Sequence, residues 1–164
     1  METFKIGKYQ SGQETLIYQL IRKVYDEFVA SDYPDEGNRF FYDWIDPSNI
    51  ARRQINHINI HVAWIDSEVV GMIEFRDNNR ISLLFVDKEH QRKGIAKRLL
   101  QEALGDCRLN GSEPDKIYVH ASPYSVPVYK KLGFIETDIM QEEHGIKYLP
   151  MEMILAEADL EFHP

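Results

Sequence analysis

The sequence predicts one mixed α/β (α+β) domain, a mostly antiparallel sheet of about seven strands flanked by helices. Three observations carry that prediction. Residues 81–104 read as a buried strand, a short polar turn and a helix that opens on a glycine. Two runs of alternating hydrophobicity precede that strand, and the turns between them are only a few polar residues long, which joins three strands as an antiparallel meander. Beyond the helix, residues 116–121 form a further apolar strand. A crossover through one helix sets it parallel to, and beside, the strand at 81–86.

The elements follow in order. Residues 4–9 alternate weakly as a first strand, which Ser11 and Gly12 break. Leu16, Ile17, Leu20, Ile21, Val24, Tyr25 and Phe28 recur at helical spacing, giving a helix that ends near Ser31. Pro34 and Gly37 bracket a turn. Residues 38–45 form a second helix rich in aromatics, and Ser48 caps a third, short one that reaches Ile55. Ile58, Ile60, Val62 and Trp64 mark a half-buried strand, followed by strands at 69–76 and 81–86. The last of these is apolar on both faces, with Ile81, Leu83 and Phe85 on one and Leu84 and Val86 on the other, so both faces are covered. Ile95, Leu99, Leu100, Ala103, Leu104 and Cys107 give the next helix its apolar stripe, and Asn110-Gly111 ends it. Residues 125–132 form a helix with Pro127 in its first turn and Gly133 as a left-handed stop. Residues 134–142 and 146–155 close the domain as an antiparallel pair around His144-Gly145.

Composition bounds the function. The chain of 164 residues has the length of a single domain, spanning 1–164, and 43% hydrophobic with 28% charged residues is an ordinary soluble balance. A net charge of −8 argues against a nucleic-acid partner and tilts the choice of partner towards cations. The single cysteine, Cys107, excludes an internal disulfide and any multi-cysteine metal site, and the six histidines lack ligand spacing, so no metal is expected. No apolar run reaches membrane-spanning length and the N-terminus lacks a signal-peptide core, which makes a cytoplasmic protein with no membrane contact the default.

The junction Gln91-Arg92-Lys93-Gly94-Ile95-Ala96 is where ligand chemistry is expected. The first turn of a helix leaves backbone N–H groups unpaired, and its dipole favours an anion. Gly94 has no side chain and Ala96 a small one, so a phosphate can approach the main chain, while Arg92, Lys93, Lys97 and Arg98 add positive charge. An ordinary solvated first turn fits the same local pattern equally well. Neither the P-loop nor the dinucleotide glycine motif is present.

Residues 91–96, QRKGIA, resemble the Q/R-x-x-G-x-G/A signature of the GNAT superfamily of N-acetyltransferases. Residues 118–134, YVHASPYSVPVYKKLGF, resemble that family's fifth strand and following helix, which end in Tyr-x-x-x-Gly-Phe. Two blocks in the family's order and spacing are far more specific than either alone, and the resemblance covers about residues 58–155 well. It implies a sheet whose central strands splay, acetyl-CoA as co-substrate, and acetyl transfer to an amine of a small-molecule or protein acceptor by direct attack in a ternary complex. It also implies that Gln91, Arg92, Lys93, Gly94, Ile95 and Ala96 hold the pyrophosphate, and that the main chain of Leu84, Phe85 and Val86 pairs with the pantetheine arm. Tyr129 is the implied general acid to the departing thiolate. Tyr33, Glu36, Phe40 and Trp44 are implied as acceptor-side residues, though packing also explains helical aromatics. Ser122 stands where many relatives carry asparagine, seven residues before Tyr129, and has a shorter reach towards the pantetheine. Glu74, beside apolar Met72 on its strand, is the candidate general base, with His61 and His120 as alternatives. A partly neutral amine needs no base at all. The same features fit a non-catalytic acyl-CoA-binding sensor, and homodimers are common among the proteins it resembles.

Overall fold

A computed structural model describes residues 3–157; residues 1–2 and 158–164, the ends of the expected domain, lie outside it. The strands are β1 (Lys5–Lys8), β2 (Ile60–Ile65), β3 (Glu68–Arg76), β4 (Arg80–Val86), β5 (Lys116–Ala121), β6 (Ile135–Glu136), β7 (Gln141–Glu143) and β8 (Ile146–Ile154). The helices are α1 (Glu14–Phe28), α2 (Asp35–Trp44), α3 (Pro47–Arg53), α4 (Ile95–Leu109) and α5 (Val126–Leu132). The sheet runs β1-β2-β3-β4-β5-β8-β6, with β7 also on β8. Every pairing is antiparallel except β4 with β5. Among the described residues no helix is long and apolar enough to cross a membrane.

The sheet has eight strands where the sequence suggests about seven, because the strand expected over 134–142 divides into β6 and β7. The cause is Pro150 on the facing strand. Its carbonyl accepts from Thr137 N–H at 3.0 Å, but a proline has no N–H to return, so the ladder stops there. α2 also begins earlier than expected, at Asp35, which moves Glu36 from a turn into the first helical turn.

Two cores sandwich the sheet. On one face α4 and α5 pack over Ile73, Phe75, Ile117, Val119 and Met151. Ile95, Leu99, Leu100 and Leu104 are at most 2% exposed, and each such burial contributes roughly 1.5–3 kcal/mol. α4 approaches closely because β3 carries Gly71 beneath it; a Cβ there would lie 3.0 Å from Ile95 and 3.2 Å from Leu99. On the other face Ile17, Leu20, Ile21 and Val24 of α1 pack with Ile50 of α3 over Val62, Met72 and Leu83.

β4 departs from simple alternation. Glu74 pairs with Leu83 and Phe75 with Ile81, so Ser82 is an extra residue, a β-bulge. Ile81 therefore joins the α4 core while Leu83 joins the α1 core, rather than sharing one face as alternation implies. The bulge also sets the opening of the sheet. β4 and β5 pair only at Arg80–Tyr118 and Ile81–Val119. From Ser82 onwards the two parallel strands separate, towards their C-terminal ends, where open sheets take ligands.

Candidate active site

The gap between β4 and β5 widens into a cleft of ≈ 1040 Å³, at the upper end of the range for small-molecule sites. The free edge of β4 is its inner wall. Asp87 N–H donates to Val70 of β3 at 2.8 Å. Main-chain groups alternate along a strand, so those of Leu84 and Val86 point away from β3 into the gap. Phe85, expected to pair through its main chain with them, instead offers the cleft its ring, which stands 6.1 Å from Phe41.

The 91–96 turn closes one end. Gln91 donates its side-chain amide to the Val86 carbonyl at 3.0 Å and ties the turn to the strand. Arg92 (φ 64°) and Gly94 (φ 83°) are both left-handed, which turns successive amides the same way. The first bond of α4 runs from Arg98 N–H to the Gly94 carbonyl, 3.0 Å, so the amides of Ile95, Ala96 and Lys97 have no acceptor within the helix. A Cβ on Gly94 would meet nothing within 4 Å, which leaves the approach open. Arg92, Gly94, Ile95, Ala96 and Lys97 line the cleft. Lys93, expected among them, does not; its ammonium lies 3.5 Å from His90 Nδ1. Behind the turn Asp87 accepts from Glu89 N–H at 3.0 Å and pairs with Lys23 at 2.9 Å. Burial raises its pKa, but Lys23 and the Glu89 amide outweigh that and hold it below the usual carboxylate value.

Tyr129 lies across the cleft on α5, only 5% exposed, its ring edge-on to Phe134 at 5.4 Å. The end of α5 fixes it. Phe134 N–H donates to the Tyr129 carbonyl (2.9 Å) and Gly133 N–H to that of Lys130 (3.1 Å), a Schellman closure that needs Gly133 at φ 109°. Burial pushes the Tyr129 hydroxyl pKa well up, so it is protonated at neutral pH. Ser122 lines the cleft, but its hydroxyl is engaged with that of Ser125 at 2.8 Å.

The other side is roofed by α2 and the β7–β8 turn. Tyr33 donates to the Lys147 carbonyl at 2.8 Å, and Phe40 stacks on His144 at 4.9 Å. The guanidinium groups of Arg53 and Arg76 each lie over the Trp44 ring, 4.1 Å and 5.0 Å from its centroid. Burial, then Asp32, raises the Tyr33 pKa to about 12. Tyr33, Phe40 and Trp44 line the cleft, whereas Glu36 is exposed in the first turn of α2 and does not.

The carboxylate singled out as base is elsewhere. Glu74 is 1% exposed and off the cleft. Arg53 holds both its oxygens, at 3.1 Å each, and Gln54 donates to Oε2 at 3.0 Å. With its oxygens so engaged it has no path to an amine in the cleft, which corrects the expectation of Glu74 as general base. His61 is also buried away from the cleft, and burial lowers its pKa. His120 does line the cleft, stacked on Tyr148 at 4.2 Å, with Arg80 Nη2 2.7 Å from its Nδ1. Burial, then Arg80, lowers its pKa, so the ring is neutral at pH 7. A guanidinium only donates, so Nδ1 is the acceptor and the ring proton sits on Nε2. In that tautomer His120 is a support for Arg80, not a base.

Arg76, Arg80, Glu143 and Tyr148 are cleft residues that sequence reasoning missed. One signal pointed to the arginines. They flank the short turn at 77–79 and pair directly across the hairpin, which puts both side chains on one face.

Comparison with known proteins gives one consistent result. A model of the acetyltransferase (GNAT) domain matches residues 29–155. An uncharacterized N-acetyltransferase of Escherichia coli K12, YafP, is 28% identical over 135 residues, 82% of this chain and 83% of its own. The fold superposes on a GCN5-related N-acetyltransferase from Rhodopseudomonas palustris with a TM-score of 0.78 at 16% identity, covering 94% of this chain and 98% of the other. It also superposes on the PaiA N-acetyltransferase of Thermoplasma acidophilum, solved in complex with coenzyme A, with a TM-score of 0.74 at 21% identity, covering 93% and 99%.

Proposed function

The chain belongs to the GNAT acetyltransferase family, and from that premise we propose that it transfers an acetyl group from acetyl-CoA to an amine acceptor by direct attack in a ternary complex. The observation that carries this reading is the split between β4 and β5, with an amide-lined turn at one end and a protonated, buried tyrosine across it. The residues fit the co-substrate. The open approach over Gly94 and the unpaired amides of Ile95, Ala96 and Lys97 suit a diphosphate, with Arg92 and Lys97 beside it. The outward N–H and carbonyl of Leu84 and the outward N–H of Val86, whose carbonyl Gln91 holds, suit an extended amide-bearing arm, as in strand addition.

Acetyl-CoA supplies the acetyl group as a thioester. The rest falls to the chain. The Leu84 or Val86 N–H, on the free edge of β4, is placed to donate to the thioester oxygen as charge develops there. One such donor is worth roughly 3 kcal/mol. Tyr129 donates its proton to the departing sulfur as the C–S bond breaks; because burial raises its pKa, the phenolate left behind is a strong base and at once regains a proton, the one the attacking amine gives up to water. Glu74, His61 and His120 are each withdrawn from the base role by their bonding or position, so the amine is delivered neutral, or loses its proton to water beside Glu143 on the cleft wall.

A non-catalytic acyl-CoA-binding module is the second reading, since the amide-lined turn fits it equally. Incubation with acetyl-CoA and a panel of amines, with free thiol followed over time, separates the two. Amine-dependent thiol release supports the transferase; saturable coenzyme A binding with no release for any amine supports the module.

A further inference from the structure

The cleft has a second cationic end. Along β4 from Val86, next to the 91–96 turn, to Arg80 is six residues, about 20 Å. The diphosphate therefore does not account for the arginines at the far end. Arg76 and Arg80 face each other across the β3–β4 hairpin and both line the cleft. Neither has a carboxylate partner among the described residues. Each is nonetheless held in place. Arg76 lies over the Trp44 ring, and Arg80 donates to His120 Nδ1, which Tyr148 backs by stacking. The bond to His120 uses one of five guanidinium N–H donors. Two positioned arginines make a planar, forked receptor for a carboxylate, and repel a polyamine. Leu84, whose N–H is the nearer proposed donor to the thioester oxygen, is four residues from Arg80, about 13 Å, and the long arginine side chains reach back over part of that span, so an amine at the thioester and a carboxylate on the arginines fit within one small molecule. Among the described residues lining the cleft, Glu143 is the sole carboxylate, and it suits the ammonium end of such a molecule.

The roof sets the size. A Cβ on Gly37 of α2 would lie 3.0 Å from the Gly145 carbonyl, and Phe40 stacks on His144. α2 and the β7–β8 turn thus touch over the cleft, a roof that favours a compact acceptor over a polypeptide lying along it.

We propose that the acceptor is a small amine that carries its own carboxylate, an amino acid in the broad sense, with Arg76 and Arg80 binding the carboxylate. This rests on the acetyltransferase reading, and the test keeps the two apart. Free amino acids, each matched with its decarboxylated amine and its amide, are assayed with acetyl-CoA for thiol release. The same compounds are titrated by calorimetry into the protein saturated with coenzyme A. At least one acid is expected to exceed its decarboxylated partner by about 100-fold in kcat/KM or in affinity. Arg80→Gln and Arg76→Gln should erase most of that preference while coenzyme A binds with unchanged affinity, which also certifies the fold. Decarboxylated amines or amides used as well as the acids, or a preference that survives both substitutions, overturns the proposal, as does failure of every carboxylate to bind. Carboxylate binding that depends on Arg80 without thiol release for any compound upholds it and sinks the transferase reading instead.

Discussion

At the 92–97 end the cleft is built chiefly from main chain, a run of amides aimed by two left-handed residues and the first turn of α4, with Arg92 and Lys97 beside it. The other end is built from side chains: Trp44, Arg76, Arg80, His120 and Tyr148, contributed by α2, β3, β4, β5 and β8. The first end is specified by six consecutive residues and the second by residues more than a hundred positions apart. A backbone-built site constrains local sequence tightly and can be passed between acceptor chemistries unchanged. A side-chain-built site is free to differ, which is why acceptor choice is proposed to reside there.

Substitutions at the two ends should have effects that differ in kind. The largest is expected at Tyr129, the proposed acid on the cleft wall. Tyr129→Phe keeps the ring packed on Phe134 and removes only the hydroxyl. kcat should fall by about 10²–10⁴-fold, while calorimetry finds coenzyme A affinity within about twofold of the parent. An unchanged kcat with chemistry rate-limiting removes Tyr129 from its role.

Glu74 comes next and moves a different observable. Glu74→Leu leaves Arg53 facing a buried gap without its partner, which should cost about 3 kcal/mol in denaturant unfolding. Below its melting transition the variant should retain kcat within a few-fold. A kcat loss approaching that of Tyr129→Phe would restore Glu74 as a base.

Gly94→Ala acts on the backbone-built end. At φ 83° the new Cβ has room but an unfavourable conformation, costing about 1–2 kcal/mol. Either the turn keeps its shape and the protein loses that much stability, or it relaxes and coenzyme A binds about tenfold more weakly. Acceptor preference should not move in either case; if it does, the two ends are not independent.

The smallest effect is on pH dependence. Burial lowers the pKa of both His61 and His120 from the ordinary 6.5. Asp106 opposes this for His61 and Glu143 for His120, without reversing it. The unfolded chain then binds more protons in this range, so the stabilisation is complete above the ordinary value and is lost as pH falls towards the folded values. Melting temperature should drop by a few degrees between about pH 7.5 and about pH 5.5. Replacing both histidines by glutamine should flatten that slope; an unaltered slope assigns it to other groups.

Much of this was legible in the sequence, for reasons that differ along the chain. β5 was readable to the residue, and α4 and its opening glycine were plain, because periodicity and turn chemistry act locally. The bulge at Ser82 was hidden, since a strand that is apolar on both faces gives no alternation to betray a slipped residue. Glu74 looked like a catalytic carboxylate because its partners, Arg53 and Gln54, lie 21 and 20 residues upstream on or beside another element. Pro150 announced the break between β6 and β7, but only once its partner strand was known. The arginines at the far end of the cleft lay beside a readable turn, yet only the third dimension supplies Trp44 and His120 to hold them.

The most direct measurement is a crystal structure of the protein with coenzyme A. The diphosphate is expected on the amides of 95–97, the arm along the free edge of β4, and the sulfur within hydrogen-bonding distance of the Tyr129 hydroxyl. A coenzyme bound outside the β4–β5 gap, or one whose sulfur points away from Tyr129, would rule out the proposed mechanism.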